Sequence, residues 1–346
     1  MNPGNPIDAF RRNAICRDLD DAAVTQLFAL AEPVSFVTGS RIVRQGESSR
    51  GAYLLREGTV EVCVTLPGGG EKTVATLADG SMFGEMALLE HGQCSAGVVA
   101  VTHVDGWFIE REPFRALTAG RNPAALAIAR TITAGLVERL VALNAELARH
   151  PAPEDRPLPA SSAVEPAVDP LSGVPRSTQA EFDFRDFLPV LPFFRDFSPN
   201  EIDAVCAHAK VVDIPRGHGV FAAGQPATAC YLVVRGAVEA CAAIGGHERR
   251  MALLGPGTLV GYLSVLRGTA HGAVARAREQ ALLLEFAASD FMSIYHGISG
   301  ADVKMQHAIH RNLLQSLARS NSQLSRLVTQ ARLSEALQAR LLGASV

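Results

Sequence analysis

The sequence predicts an α+β architecture made of one unit written twice, a roll of short β-strands followed by a long helix. Three observations predict it: a repeat of glycines and aromatics, short alternating strands between glycine turns, and two long amphipathic stretches. Gly39, Gly46, Tyr53, Gly58 and Glu61 recur 178 positions later as Gly217, Gly224, Tyr231, Gly236 and Glu239. Leu77, Gly80 and Gly84 recur 177 positions later as Leu254, Gly257 and Gly261. Chance does not hold such a register, and a repeat of this kind decides the fold. The offset drops by one at the loops 68–70 and 244–246, where a hairpin tip shortens at little entropic cost.

Within each unit the segments are short, alternating and β-branched: YLLREGTVEVCVTL, KTVATL and VVAVTHVDGWFIE in the first copy, YLVVRGAVEACAAI, MALLG and AVARAREQALLLEF in the second. Strands of this length between glycine turns predict a roll or barrel. The first helix follows over NPAALAIARTITAGLVERLVALNAELARH, with Ile128, Ile132, Leu136, Leu140, Leu143 and Leu147 on one stripe. The second runs from about Asp302 to Leu342, with Ile309, Leu313, Leu317, Leu324, Leu327 and Val328 along it. Spacings of three and four suit packing on a partner helix. Asn144 and Asn321 fall at equivalent points, either as register-setting polar residues in a seam or as exposed turns.

The domains read as 1–150, a linker over 151–180, a second roll over 181–300 and a helix over 301–346. The stretch from Pro151 to Pro175 is rich in Pro, Ala and Ser with few large apolar residues. Burial cannot repay its ordering entropy, so an extended, mostly disordered linker is expected. The second unit opens with Ser198 as N-cap, Pro199 at N1 and Glu201 at N3 of a helix. Phe182, Phe184, Phe187, Phe193, Phe194 and Phe197 cluster before and around it, as core at the domain base or as a docking patch.

Bulk properties narrow the function. The 346 residues are 48% hydrophobic with a net charge of −3, and the mean hydropathy is +0.14. No apolar run reaches the roughly 18 residues of a spanning helix, and the N-terminus lacks the apolar stretch of a secretory signal. The charge exerts no general pull on nucleic acid or anionic membrane. Cys16, Cys63, Cys94, Cys206, Cys230 and Cys241 stand without metal-type spacing, which suits free thiols in a reducing compartment. The expectation is a cytoplasmic, non-enzymatic protein with no metal and no cofactor. No P-loop, nucleophile elbow or HExxH supports catalysis. Arg311, Arg319, Arg326, Arg332 and Arg340 are spaced along a solvated helix face, so DNA is not the expected partner.

YLLREGTVEVCV (53–64), followed by LADGSMFGEMALLEHGQCSAGVVAV (77–101), resembles the cyclic-nucleotide-binding domain, a jelly-roll-like double-stranded β-helix. That family includes the catabolite activator protein, the regulatory subunits of protein kinase A and the nucleotide-gated channels. The resemblance covers roughly 20–145 and 190–340. Phe83-Gly84-Glu85-Met86-Ala87-Leu88-Leu89 looks like the family's phosphate-binding cassette. Glycine at 84 lets backbone approach a ligand, and N–H groups at a helix start attract a cyclic phosphate. By resemblance, Glu85 accepts a hydrogen bond from the ribose 2′-hydroxyl, Ser95-Ala96 close the pocket, and Val60, Val62 and Val74 form an apolar wall. Glu85 otherwise reads as a carboxylate stabilised by the helix dipole alone.

The family's arginine directly before Ser-Ala is replaced here by Cys94. Charge-assisted hydrogen bonds contribute roughly 1.5–3 kcal/mol each, so the loss weakens a cyclic mononucleotide by about 100-fold. Arg50 or Lys72 can replace that cation, and Cys94 reads as a space-filler or a redox-sensitive thiol. The second copy reads as degenerate over Gly261, Tyr262, Leu263, His271, Gly272 and Ala273. Tyr262 stands at the glutamate position and is expected to fill the vacated pocket. His271 stands at the arginine position, where protonation, assisted by Arg267, would partly neutralise an anion.

The resulting expectation is a regulator whose first roll binds a second messenger, cyclic AMP or cyclic GMP, with a cyclic dinucleotide as second choice. Its helices pass the signal to a protein partner, and they pair either within one chain or, as the preferred arrangement, with a second copy of the chain in a homodimer. The competing expectation is a ligand-independent scaffold built from degenerate folds of this kind.

Overall fold

The computed structural model describes residues 6–17, 19–65, 70–149, 156–157, 170–171, 174, 176–177, 185–244 and 247–343. Residues 66–69 and 245–246, Phe182, Phe184 and most of the Pro/Ala-rich stretch lie outside them. The chain divides into two compact units, Met1–Leu136 and Val137–Val346.

The first unit opens with α1 (Pro6–Arg11) and α2 (Asp21–Ala29). Its roll comprises β1 (Ala31–Phe36), β2 (Arg41–Val43), β3 (Gly51–Glu57), β4 (Val60–Thr65), β5 (Glu71–Leu77), β6 (Met82–Phe83), β7 (Gly97–Ala100) and β8 (Val104–Glu110), with α3 (Met86–Leu89) between β6 and β7. Two antiparallel sheets result, ordered β1-β8-β3-β6 and β2-β7-β4-β5. Leu55, Val60, Phe83, Val98, Ala100 and Val104 fill the space between them. Under the roll, Phe10 and Phe28 meet Trp107 edge-on. Then come α4 (Arg111–Ala119) and the 27-residue α5 (Pro123–Arg149), in whose sequence the unit boundary falls.

The second unit repeats this plan. After β9 (Arg156–Pro157), β10 (Arg176–Ser177) and α6 (Pro199–Cys206) come β11 (Ala209–Ile214), β12 (Gly219–Phe221), β13 (Ala229–Arg235), β14 (Val238–Ile244), β15 (His247–Leu254), β16 (Leu259–Val260), α7 (Tyr262–Arg267), β17 (Val274–Ala277) and β18 (Ala281–Ala287). Helices α8 (Ala288–His296) and α9 (Gly300–Gly343) close it. The sheets run β10-β11-β18-β13-β16 and β12-β17-β14-β15-β9, the order of the first roll with one added edge strand each. Even the bulges match, between Val62 and Cys63 in one copy and between Ala240 and Cys241 in the other.

The repeated glycines have a steric reason. A Cβ at Gly58 would lie 2.3 Å from the His103 carbonyl, and one at its counterpart Gly236 would lie 2.2 Å from the Gln280 carbonyl. Both backbones also take positive φ, which L-residues avoid. At the entry to α6, the Glu201 carboxylate accepts from the Ser198 backbone N–H at 2.7 Å with Pro199 at N1, as the sequence predicts. Lys304 of α9 pairs with the same carboxylate at 2.6 Å. Phe193 and Phe194 are buried in the core between sheet and helices, whereas Phe187 is half exposed.

One expectation needs correction. The stretch around 151–180 is not wholly free of the fold. Its residues 156–157 pair with β15, residues 176–177 pair with β11, and Leu171 is fully buried in the interior of the second roll. Edge strands offer unpaired backbone groups, so two-residue additions form there without an apolar run of their own. Of the two readings of the asparagines, the exposed one holds for Asn321, whereas Asn144 meets the neighbouring helix. Asn144 accepts from the Ser320 hydroxyl at 2.9 Å within one chain, and Asn321 is exposed. Ile128, Ile132, Leu136, Leu140 and Leu147 of α5, and Ile309, Leu313 and Leu317 of α9, are buried in the single chain. Leu143, Leu324, Leu327 and Val328 are only half-buried, so the single chain covers these stripes in part.

Candidate ligand site

In the first roll, β6 leads into Gly84, whose φ of +75° turns the chain into Glu85 and α3. Ala87, Leu88 and Leu89 point into the core and fix α3 on the roll. A Cβ on Gly84 would lie 2.8 Å from the Gly51 carbonyl, and the next nearest atoms are also β3 backbone. Side-chain atoms are absent from that nearest shell. Glu85 and Met86 are half-buried at the start of the turn.

The other lip is the segment 92–96. Gly46 N–H donates to the Cys94 carbonyl at 2.9 Å, Cys94 N–H to Glu47 at 2.8 Å, and Ser49 N–H to Gly92 at 3.0 Å. Residues 46–49 therefore run antiparallel to 92–94 and lead directly into β3 under Gly84. Burial raises the Cys94 thiol above its ordinary pKa, opposed by a hydrogen bond from Ser49. A neutral thiol is a poor nucleophile, which favours the space-filling reading over the redox one. Ser95 is exposed and Ala96 half-buried, and the Ser95 hydroxyl has no hydrogen-bond partner among the described residues.

The predicted apolar wall is unequal. Val60 is fully buried in the roll interior and Val62 packs against it, whereas Val74, on β5 at the bulge, is 50% exposed. The sequence reading missed Tyr53 as a site residue. Its ring stacks on Phe83, directly before Gly84, with centroids 5.0 Å apart and planes at 16°. Burial raises the Tyr53 phenol, and the nearby Arg50 guanidinium opposes that. The recurrence of Tyr53 at Tyr231 was the available signal. Lys72, the other candidate cation, lies on β5 opposite Val64.

The second roll differs at each of these points. Gly261 keeps the turn, with φ +78°, but a Cβ there would lie 3.0 Å from both the His271 and Phe221 rings. Those rings stack face to face, with centroids 3.7 Å apart and planes at 9°. His271 is 5% exposed, and burial lowers its pKa to about 4. It is neutral at physiological pH and offers no charge to an anion. Arg267 does not assist, because its Nε and Nη2 donate to the Glu138 carboxylate, at 2.7 and 3.1 Å. Nor does Tyr262 fill the pocket. It belongs to the core on the helical side of the sheet, its hydroxyl beside Ser316 and Arg319 of α9, and Leu263 packs against that same core. The first side chain of α7 points away from the roll interior, so the space is filled from β12 and from the 271 position instead. Gly272 is exposed and Ala273 half-buried. Among the described residues, no cluster of three or more His, Cys, Asp or Glu could hold a metal ion, and no helix is long and apolar enough to cross a membrane.

A stretch of the chain is 31% identical over 108 residues to cGMP-dependent protein kinase 2 of Mus musculus, covering 31% of this chain and 14% of that protein. The chain thus matches only about a seventh of that relative's length. The regulatory domain of Toxoplasma gondii PKA, solved with cAMP, aligns over 87% of this chain and 93% of its own, at 15% identity and a TM-score of 0.31. The N-terminal domain of a transcriptional regulator from Streptomyces coelicolor A3(2) aligns over 45% of this chain and all of its own, at 24% identity and a TM-score of 0.35. Residues 33–121 and 211–297 each match the cyclic nucleotide-binding domain, and together they make up just over half of the chain. With its two β-rolls in tandem, the chain belongs to the cyclic nucleotide-binding domain family.

Proposed function

We propose that this is a regulatory protein whose first roll binds a cyclic nucleotide and whose second roll is a sealed structural partner. The contrast around the two cassette glycines carries the reading. Over Gly84 the nearest atoms are backbone, and the Ser95 hydroxyl is unengaged among the described residues; over Gly261 two stacked rings occupy the space. Within the first site, Glu85 meets the ribose, Ser95 meets the phosphate, and Val60 and Val62 face the apolar side of the ligand. Cyclic AMP and cyclic GMP both remain candidates, since one relative is named for cGMP and one solved neighbour holds cAMP.

Helix α5 is the natural route for output, because its C-terminal half is fastened into the second unit. Glu138 pairs with Arg267, Asn144 bonds Ser320, and the Leu147 carbonyl accepts from the buried Arg249. Ligand preference for one position of α5 biases a two-state element, which a protein partner then reads. The neutral Cys94 favours the competing reading, a ligand-independent scaffold, because that position contributes no charge to a phosphate.

Titration calorimetry of cyclic AMP and cyclic GMP into the full chain separates the two. Saturable binding at one site per chain, lost in Glu85→Ala, is expected. A folded chain that gives no heat with either nucleotide at millimolar concentration makes it a scaffold.

A further inference from the structure

We propose that Arg50 supplies the positive charge that Cys94 lacks, so that the phosphate of a cyclic nucleotide is neutralised from the segment before β3. This rests on the reading of the first roll as the ligand-binding one.

The backbone ladder places Arg50 where such a charge is needed. Residues 46–49 are hydrogen-bonded alongside 92–94, and Gly51, the next residue after Arg50, puts its carbonyl against Gly84. Arg50 thus sits between the two lips of the cassette, one residue from the first and within the strand-like segment that borders the second. Its backbone is held: Arg111 N–H donates to the Arg50 carbonyl at 2.9 Å, and the Arg111 guanidinium donates to the Ser49 carbonyl at 2.7 Å. The side chain, by contrast, is exposed and has no carboxylate partner among the described residues. Its charge opposes the burial that raises the Tyr53 phenol. The carboxylate that faces Cys94 is Glu47, and Arg44 pairs with it at 3.4 Å.

The second copy serves as an internal comparison. The residue equivalent to Arg50 is Thr228, and its carbonyl accepts from Ala288 in the same structural role. Where rings meet the cassette glycine the cation is absent, and where backbone alone is nearest the glycine it is present. Guanidinium suits the task, because its planar donors match two phosphate oxygens and it is always charged.

The test is titration of cyclic AMP and of cyclic GMP, each separately, into the full-length protein and into Arg50→Gln, Glu85→Ala, Cys94→Arg and Arg50→Gln/Cys94→Arg variants at two salt concentrations. Arg50 is exposed, so its replacement leaves the fold intact, and circular dichroism checks this. Arg50→Gln is expected to weaken the nucleotide that binds by about 10–100-fold and to flatten the salt dependence. Adding Cys94→Arg to Arg50→Gln is expected to restore affinity, because the charge returns from the other lip. Wild-type affinity in Arg50→Gln, with binding lost in Glu85→Ala, overturns the assignment of Arg50 while the site stands. No binding of either nucleotide to the folded wild-type chain overturns the site itself, and Arg50 with it.

Discussion

Acidification to pH 5 should loosen the second unit well before the first, and the reason lies in two buried imidazoles. His271 is pressed against Phe221 and 5% exposed, with its pKa lowered to about 4 by burial. His310, on α9, is 1% exposed, and burial, with His307 and Arg311 adding to it, lowers its pKa to about 3. Neither ring nitrogen of His310 has a hydrogen-bond partner in the described structure. In the unfolded chain both titrate near the ordinary value of roughly 6.5. A base whose folded pKa is depressed favours folding only while the unfolded chain is also neutral. The contribution is therefore full above pH 6.5 and is lost as pH falls towards the folded values. At pH 5 each histidine has lost about 1.5 units at 1.36 kcal/mol per unit, roughly 2 kcal/mol each and about 4 kcal/mol together.

The window between pH 6.5 and 5 isolates this effect. The depressed carboxylates, such as Glu201 with its pKa lowered to about 2, stay ionised in both states there and begin to cost stability only below about 4.5. The assay is urea unfolding at pH 7.5 and pH 5.0, read two ways. Trp107, the only tryptophan, lies in the first unit, and both described histidines of that unit, His91 and His103, are exposed. Its fluorescence transition should hardly move. Far-ultraviolet circular dichroism, which sees both units, should show a component whose midpoint falls by about 1–2 M, for a slope of roughly 2–3 kcal/mol/M. His271→Leu should remove about half of the pH-dependent loss. A dichroism midpoint that is the same at both pH values, or an undiminished loss in His271→Leu, refutes the assignment of neutral buried rings.

Two further changes test how the rolls are built. Leu171→Ala should cost about 2–5 kcal/mol, the usual range for a buried leucine, read as a lower thermal midpoint; a change within about 0.5 kcal/mol means that this residue is not core. Gly84→Ala should destabilise the first unit by more than about 1 kcal/mol and more than Gly39→Ala does, because both have positive φ but only the first meets backbone, at 2.8 Å. Equal effects on the Trp107 unfolding transition would remove the claim of close approach at the cassette.

Much of this fold was legible because its determinants are local. Glycines at positive φ, the capping residues Ser198-Pro199-Glu201 and the three-and-four spacing of α5 and α9 each act within a few residues, and the duplication supplied every signal twice. What was not legible depended on directions that sequence does not encode. Tyr262 occupies the glutamate position in the alignment, yet α7 starts with its first side chain aimed at α9, so the pocket is filled by Phe221 from a different strand. The insertion of Leu171 was invisible for a related reason. A single leucine in a Pro/Ala-rich stretch has no periodicity, and its burial follows from where the roll happens to be open. Arg50 could be named as a candidate cation, but only the ladder between 46–49 and 92–94 distinguishes it from Lys72 on β5.

On the proposed reading, the two copies differ in what a ligand site costs a β-roll. At equivalent positions the first roll carries Val43, Tyr53 and Cys94, all only partly buried, and the second carries Phe221, Tyr231 and His271, all at least 94% buried. The same strand, β3 in one copy and β13 in the other, is half-open at Tyr53 and closed at Tyr231. Filling the cassette with a stacked pair of rings buries apolar surface and adds a favourable aromatic contact, roughly 0.5–1.5 kcal/mol beyond the area term. The first roll forgoes both, and it leaves the exposed Arg50 side chain without a carboxylate partner and the Ser95 hydroxyl without a hydrogen-bond partner among the described residues. A binding site needs that arrangement, because groups already satisfied within the protein have little left to offer a ligand. On the proposed reading, the second copy is a roll in which the space for a ligand has been exchanged for packing. On that argument the first unit should be the less stable of the two at neutral pH, and a nucleotide that binds it should raise its Trp107 unfolding midpoint towards that of the second.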